Sequence, residues 1–229
     1  MMPSNSPSDD LPQDQEAFPP FETVYDCYHV QVYRYLHAHL KHEQDAADLM
    51  QQVFFQAWNQ RQTYQPARGT VATWLLAIAH HRLVDFYRQS RPSLSWESIP
   101  EGVAADHNPE AKVLSEESIA LVRRLLEALP QPEQELLALR FAARLSSAEI
   151  AALIGKSEAA TKKQLTRLLR RLQEQYRRQE LETPLPDLLE PALPAFVAAL
   201  LQVYAVSPAT TNVHTIRQNL LALIRPVSL

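Results

Sequence analysis

The sequence predicts an all-α protein made of two small helical domains and a short helical C-terminal extension. Several long segments place apolar residues every three or four positions, the spacing of a helix with one buried face. Only three glycines occur among 229 residues, which disfavours a turn-rich β architecture. Hydrophobic residues make up 46% of the chain, enough to bury one or two cores.

Charge is unevenly distributed along the chain, although its net value is only −4. Residues 1–33 carry acidic side chains and no Lys or Arg, whereas residues 162–178 are strongly basic. Local charge therefore decides which partners each surface attracts. The single cysteine, Cys27, cannot form an internal disulfide or a cysteine-based zinc site, which suits a reducing cytoplasm.

The N-terminal residues 1–18 predict a disordered acidic tail, because Ser, Pro and Asp dominate and little can offset the entropy of ordering. This polar start does not resemble a signal peptide. The longest apolar run near the end, residues 195–206, is too short to span a bilayer. We therefore expect a cytoplasmic protein with no membrane insertion.

The first predicted helix covers residues 21–40, with apolar residues at helical spacing. His37, His39 and His42 cluster at its end. His39, His42 and Glu43 could share a helix face and bind a metal, but no further ligand is apparent. The sequence therefore predicts solvated histidines, with no metal and no cofactor.

The second predicted helix, within residues 45–60, has an unbroken apolar stripe that leaves Phe55 outside. Phe55 is either an isolated exposed apolar residue or the anchor of a partner surface. In the second interpretation its polar rim consists of Asp45, Asp48, Gln51 and Gln52. The stripe itself comprises Ala46, Leu49, Met50, Val53, Phe54, Ala57 and Trp58.

A loop over residues 62–70 leads to a third helix, which Thr70 can cap. Aromatic and basic residues interleave here, and such residues can stack unpaired bases and hold phosphates. Alternatively, Trp74, Leu75, Ile78 and Phe86 belong to the core. Trp74 is assigned to the core, while Tyr64 and Arg68 remain open to both interpretations. The interleaved residues are Tyr64, Phe86, Tyr87, Arg68, Arg82, Arg88 and Arg91.

An acidic linker over residues 92–117 separates the helical units at 19–91 and 118–179. The second unit contains a helix-turn-helix pattern. Ser146 and Glu149 form a helix-starting box, Gly155 can end that helix, and Ser157 can cap the next one. The core face of that next helix comprises Thr161, Leu165, Leu168, Leu169 and Leu172, and its basic residues Lys162, Lys163, Arg167, Arg170 and Arg171 lie off this face. A capped basic helix after a tight turn is typical of duplex DNA binding.

Three motifs together make the chain resemble an extracytoplasmic-function sigma factor, over about residues 21–178. The first contains Asp45, Ala46, Asp48, Leu49, Gln51, Val53, Phe54 and Trp58. The second contains Gly69, Trp74, Leu75, Ile78, Ala79, Asp85 and Arg88. The third runs from Leu129 and Pro130 through Gln134, Leu137, Leu145, Ser146, Glu149, Ile150, Ala151, Leu153, Gly155 and Ser157 to Lys162, Leu165 and Arg167. Three departures are His80-His81 in place of Arg-Asn, Ala159-Ala160-Thr161 in place of Gly-Thr-Val, and Gln52 in place of a common acid on the polymerase face.

The resemblance implies a protein that catalyses nothing and binds core RNA polymerase and promoter DNA. The second helix, through Asp45, Asp48, Gln51, Gln52 and Phe55, would bind the clamp helices of the largest polymerase subunit, with the polymerase flap as a further contact. Melted promoter DNA would contact Tyr64, Arg68, His80, His81, Arg82 and Arg88. Duplex DNA would contact Ser157, Ala160, Lys162, Lys163, Gln164, Arg167 and Arg171. An anti-sigma factor is a further partner of the class.

The extension, residues 180–229, begins with a Pro-rich connector and contains candidate helices at 195–206 and 213–224. Two short apolar helices cannot form a domain alone, so they are expected to pack on a domain or a partner. One hypothesis is a built-in regulator that could mask the basic helix, and the other is a structural brace. A rival function is a stand-alone helix-turn-helix regulator that dimerises through residues 195–224.

Overall fold

Eight α-helices build the part of the chain described by the computed structural model, which is residues 18–90, 116–182 and 192–206. These ranges contain no β-strand, so the all-α prediction is confirmed. Two short 3-10 turns, Arg61–Thr63 and Pro66–Arg68, lie in the loop after the second helix. The helices are α1 Phe21–Leu40, α2 Glu43–Asn59, α3 Val71–Ser90, α4 Glu116–Glu127, α5 Gln131–Leu137, α6 Ser147–Ile154, α7 Glu158–Glu182 and α8 Ala192–Val203.

Helices α1, α2 and α3 pack against one another as the first domain. The apolar stripe predicted for α2 faces inward: six of its seven members are buried, and Trp58 is partly buried against the core. Edge-to-face aromatic contacts join the helices, with Phe54 meeting Phe21 and Tyr25 at ring separations of 6.2 and 4.8 Å. This packing fixes the outward direction of the opposite face of α2.

The start of α3 is capped as the sequence predicts. The hydroxyl oxygen of Thr70 accepts the backbone N–H of Thr73 at 3.3 Å. Gly69 precedes it with a φ of +154°, and a Cβ there would lie 2.7 Å from the Thr73 hydroxyl oxygen. The turn therefore depends on glycine at position 69.

Helices α4 to α7 form the second domain, in which α5 continues as a π-helical turn over Ala138–Ala142. The predicted core face of α7 is buried at Thr161, Leu165, Leu168 and Leu172, while Leu169 is half-buried. Tyr176 extends this face by one turn and is fully buried. The helix runs to Glu182, three residues beyond the predicted end of the domain.

Helix α8 packs on α4 and on the C-terminal part of α7. Phe196, Ala199 and Leu200 are buried, and the Phe196 ring lies 5.5 Å from that of Tyr176. The helix begins at Ala192 rather than at 195, because Pro194 falls in the first turn, where proline is tolerated. The predicted tail, most of the predicted linker and the candidate helix at 213–224 lie outside the described residues.

The two domains contact each other directly. Helix α1 packs against the π-helical turn, and α3 contacts α6. Buried residues of both domains and of α8 belong to one contiguous hydrophobic cluster. No helix in the described ranges is both long enough and apolar enough to cross a bilayer.

Candidate nucleic-acid and partner interfaces

The outer face of α2 carries the predicted partner surface. Phe55 is 44% exposed, and its neighbours Asp48 and Gln52 are also exposed. Asp45 and Gln51 are half-buried at the edge of the same face. Gln44 donates a hydrogen bond to the Asp48 carboxylate at 3.0 Å, which leaves one carboxylate oxygen for another donor.

The loop before α3 presents Arg68 to solvent, whereas Tyr64 is half-buried. The Tyr64 ring lies 5.6 Å from the rings of both Phe18 and Trp74, and its hydroxyl donates to the carbonyl of Gly69 at 3.1 Å. Of the two interpretations left open by the sequence, the structure gives Tyr64 a role in holding the loop. The Arg68 side chain is exposed and can therefore contact a ligand directly.

The four predicted single-strand contacts on α3 do not converge on one face. His81 and Arg88 lie one above the other on an exposed face. Arg82 points toward α2 instead, where its Nε donates to the side-chain oxygen of Gln56 at 2.5 Å. His80 faces α1 and the second domain, with its Nδ1 3.1 Å from the hydroxyl oxygen of Tyr35.

The helix-turn-helix forms with the local geometry that its sequence predicts. The Ser146 hydroxyl oxygen accepts the N–H of Glu149 at 3.2 Å, and the Glu149 carboxylate accepts the N–H of Ser146 at 2.9 Å. Gly155 ends α6 in the left-handed conformation, with φ +67°. The Ser157 hydroxyl oxygen accepts the N–H of Ala160 at 3.3 Å and so caps α7.

The N-terminal half of α7 exposes the predicted duplex-binding residues. Gln164 is half-buried, and the other six are exposed. Thr161, on the buried face, satisfies its hydroxyl by donating to the carbonyl of Ser157 at 3.1 Å. A shallow groove lies beside this surface, lined by Ala160, Lys163, Gln164, Arg167, Leu168, Arg171 and, from α5, Glu133.

Glu133 forms an ion pair with Arg171, which sequence reasoning did not anticipate. Lys162 pairs with Glu158 one turn earlier at 2.6 Å and lies on another side of α7 from the groove. The duplex-binding residues therefore form two groups. The groove face includes Arg171, which pairs with Glu133, and Lys162 lies on another side of the helix, where it pairs with Glu158.

A second site missed by the sequence lies between the domains. The carboxylate of Glu135, on α5, accepts the hydroxyl of Tyr35 at 2.8 Å. One Glu135 oxygen lies 2.9 Å from the Nε2 of His39, and the other lies 3.5 Å from the Nδ1 of His80. The prediction of a solvated His39 is wrong, because the second domain covers its side chain to 11% exposure.

Electrostatics in this cluster favour a charged carboxylate. Burial alone would raise the pKa of Glu135, but the imidazoles of His39 and His80 and the Tyr35 hydroxyl lower it to about 2. The hydrogen bond to Glu135 raises the pKa of His80 against the effect of its burial. Burial, followed by the charge of Glu135, raises the pKa of Tyr35 well above its usual value.

Other polar contacts also cross between the domains. The Thr70 hydroxyl donates to Glu149 at 3.1 Å, and the side-chain amide of Gln31 donates to the carbonyl of Ala143. Lys41 pairs with Glu127 at 2.6 Å on the surface. Their endpoints are far apart in sequence, so no local pattern could have predicted them.

The extension touches both domains. The Tyr204 ring stacks on Phe141 of the second domain with centroids 6.2 Å apart, and the Nε of Arg34 in α1 donates to the carbonyl of Val206 at 2.9 Å. Lys163 and Arg167 remain exposed, so the described part of the extension does not mask the basic face of α7.

Comparison with known proteins agrees with this architecture. Residues 24–92 match the family model of Sigma-70 region 2, and residues 119–172 match that of Sigma-70 region 4. These matches coincide with the first domain and the helix-turn-helix domain.

Individual relatives carry the same family name. The ECF RNA polymerase sigma factor BldN of Streptomyces coelicolor is 32% identical over 157 residues, covering 66% of this chain and 58% of that protein. The ECF sigma factor SigD of Mycobacterium tuberculosis is 30% identical over 132 residues, covering 57% and 62%. The RNA polymerase sigma factor YlaC of Bacillus subtilis is 30% identical over 139 residues, covering 59% and 80%.

The chain therefore belongs to the sigma factors of the Sigma-70 family, and within them to the extracytoplasmic-function type. It spans about three fifths of the length of the first two relatives.

Proposed function

We propose that this protein binds core RNA polymerase in the cytoplasm, recognises promoter DNA and supports promoter opening, without catalysing a reaction itself. Residues 19–91 serve as sigma region 2, and residues 118–179 serve as sigma region 4. Residues 92–117 link the two regions, and residues 180–229 form the extension.

The observation that carries this proposal is the exposed face of α2. Phe55 is exposed, although six of the seven residues of the apolar stripe on the opposite side of the same helix are buried. An aromatic side chain inside a ring of Asp and Gln side chains is the arrangement in which interfaces concentrate their binding energy. This face would contact the clamp helices of the largest polymerase subunit, and region 4 would contact the flap.

DNA contacts divide between the two domains. The capped N-terminus of α7 and its groove face would read duplex DNA in the major groove, beginning at Ser157. Arg68, His81 and Arg88 would contact the melted strand. Such contacts offset the stacking energy that a base loses when it leaves the duplex. Tyr64 and Arg82 would act there mainly by shaping the loop and bracing α3, because both are held by contacts within the domain.

Size-exclusion co-elution with bacterial core RNA polymerase tests the proposal. The full chain should co-elute, and the D48A/F55A variant should elute separately. E22A/L201A is a matched control, because it also removes one exposed carboxylate and one exposed apolar side chain, from α1 and α8. Failure of the parent to bind, or equal loss in the control, would contradict the proposed interface.

A stand-alone dimeric regulator is less well supported. Phe196, Ala199 and Leu200 of α8, within the segment that would have formed its dimer interface, are buried on α4 and α7 of the same chain, which leaves only Val197 and Leu201 as exposed large apolar side chains on the described part of this helix. Such a regulator would also leave the exposed face of α2 without a role. An anti-sigma factor remains a proposed partner, and binding to a candidate can be measured with the same co-elution assay.

A further inference from the structure

The cluster around Glu135 joins groups of different origin. The groups that surround the carboxylate belong to the first domain, with the hydroxyl of Tyr35 and the imidazole of His39 on α1 and the imidazole of His80 on α3, whereas the carboxylate comes from α5 of the second domain. The first domain therefore presents a preformed set of donors to an anion, and the second domain supplies that anion.

We propose that Tyr35, His39 and His80 form a binding site for a backbone phosphate of the melted promoter strand, and that Glu135 fills this site while the two domains are in contact. This inference rests on the proposed function, because it needs single-stranded DNA to follow the first domain. It goes further by adding two DNA contacts, Tyr35 and His39, and by identifying an internal competitor.

The chemistry of the donors suits a phosphodiester. Hydroxyl and imidazole N–H groups bond the oxygens of carboxylate and phosphate alike, and bonds to a charged acceptor are the stronger class. The Tyr35 hydroxyl donates a hydrogen bond to the Glu135 carboxylate, while the Nε2 of His39 and the Nδ1 of His80 lie 2.9 and 3.5 Å from its oxygens. The Nε2 of His39 is buried and has no hydrogen-bond partner among the described residues, so a phosphate in place of Glu135 would give it an acceptor.

The position of the site suits the path of a strand. The His80 ring lies 6.3 Å from that of His81, which points to solvent on the same helix. His80 itself retains 47% side-chain exposure, so the site is open on the side of α3. A strand that contacts the exposed face of α3 through its bases can therefore reach His80 with its backbone.

Occupation by Glu135 and by DNA must exclude each other. Glu135 remains ionised at neutral pH, and two anions cannot share one set of donors without strong repulsion. Departure of α5 would leave His39 and Tyr35 without this anion, and a phosphate would replace it. Contact between the domains thus lowers the affinity for single-stranded DNA until the second domain moves away.

The test uses the full chain and a short fluorescein-labelled single strand of mixed sequence, followed by fluorescence anisotropy. E135Q keeps the size of the side chain but removes its charge, and should bind the strand about tenfold more tightly than the parent, the effect of one charge-assisted hydrogen bond. Adding Y35F, which keeps the buried ring and removes only the hydroxyl, should cancel most of this gain. The control Y33F removes another α1 hydroxyl and should leave the gain of E135Q intact.

A second control separates release of the site from separation of the domains. E127Q removes the charge of the interdomain pair with Lys41, away from the donor cluster. Equal tightening by E127Q and E135Q, no tightening by E135Q, or full gain in Y35F/E135Q would each overturn the proposal. Thermal unfolding of every variant, checked by circular dichroism, confirms that the comparison is made between folded proteins.

The ligand is distinguished by competition. Unlabelled single strand should displace the probe from E135Q at lower concentration than inorganic phosphate or a duplex of the same sequence. Equal displacement by phosphate alone would overturn the assignment to a DNA strand. Co-elution of the parent with core polymerase is measured separately, so failure of the anion site and failure of the sigma function give different results.

Discussion

Thr70 and Glu149 are joined by a hydrogen bond of 3.1 Å, although each of them caps a different helix in a different domain. Thr70 caps α3, and Glu149 completes the capping box of α6. The start of the helix proposed to contact melted DNA is thus bonded to the start of the helix-turn-helix. Removal of either capping side chain should therefore lower the stability of both domains.

Removal of the Glu149 side chain should lower the free energy of unfolding. E149A removes a cap and the contact with Thr70, so we expect a loss of ~1–2 kcal/mol in urea denaturation. E158A is the control, because Glu158 lies in the first turn of α7 and makes an exposed pair with Lys162, and such surface interactions contribute ~0.5 kcal/mol each. Equal losses in the two variants would contradict a special role for the capping box.

The Glu135 cluster should make stability depend on pH. Its folded pKa of about 2 lies below the ordinary value of 4.5, so its contribution is present above pH 4.5 and is lost as pH falls toward 2. The pKa of His80 is raised, so its contribution is complete below its ordinary value of 6.5 and is lost as pH rises through the raised value. Thermal unfolding across this pH range should show both losses.

E135Q should flatten the acidic limb of that profile and also remove the basic limb that belongs to His80. The groups facing Glu135 are Tyr35, His39, His80 and, at longer range, Tyr87. E127Q, at the exposed pair with Lys41, should leave both limbs in place. An unchanged acidic limb in E135Q would show that other carboxylates control the acid transition.

Docking of α8 should depend on Phe196. F196A removes a ring that is 3% exposed and packs against Tyr176, and large-to-small changes of this kind cost ~3–5 kcal/mol in a rigid core. Because α8 can undock locally, we expect the loss to appear as faster amide hydrogen exchange in α4 and α8. V197A, at an exposed neighbour, should exchange like the parent, and protection retained in F196A would contradict the packing.

The groove face of α7 should govern the salt dependence of duplex binding. R167A should weaken binding to a mixed-sequence duplex and reduce the slope of log K against log salt by about 1, the effect of one lost phosphate contact. R123A, an exposed arginine on α4, is the control and should preserve the slope. E133A should have the opposite effect to R167A, because it releases Arg171 from its acidic partner.

Local patterns in the sequence predicted the features that depend on interactions between residues close together in the chain. The stripe of α2, the capping box at Ser146 and the left-handed turn at Gly155 each depend on residues within a few positions of one another. Position 135 carries no such signal, because its partner Tyr35 lies 100 residues away in the chain and its two histidine partners also belong to the other domain. For the same reason His39 was predicted to be solvated: the side chains that cover it come from another domain.

The hydrogen bond between Arg34 and the carbonyl of Val206 joins the extension to α1. The chain therefore forms a closed ring that runs from the first domain through the linker, the second domain and the extension, and back to α1. In a ring, each contact keeps the others at high effective concentration. If one of these contacts is lost, the two domains remain joined by the polypeptide chain. The length of the connecting segment then determines the fraction of time that they are in contact. Shortening or lengthening the segment between α3 and α4 would therefore change how often the two domains are in contact, without altering the surfaces on α2, α3 and α7 that are proposed to contact polymerase and DNA.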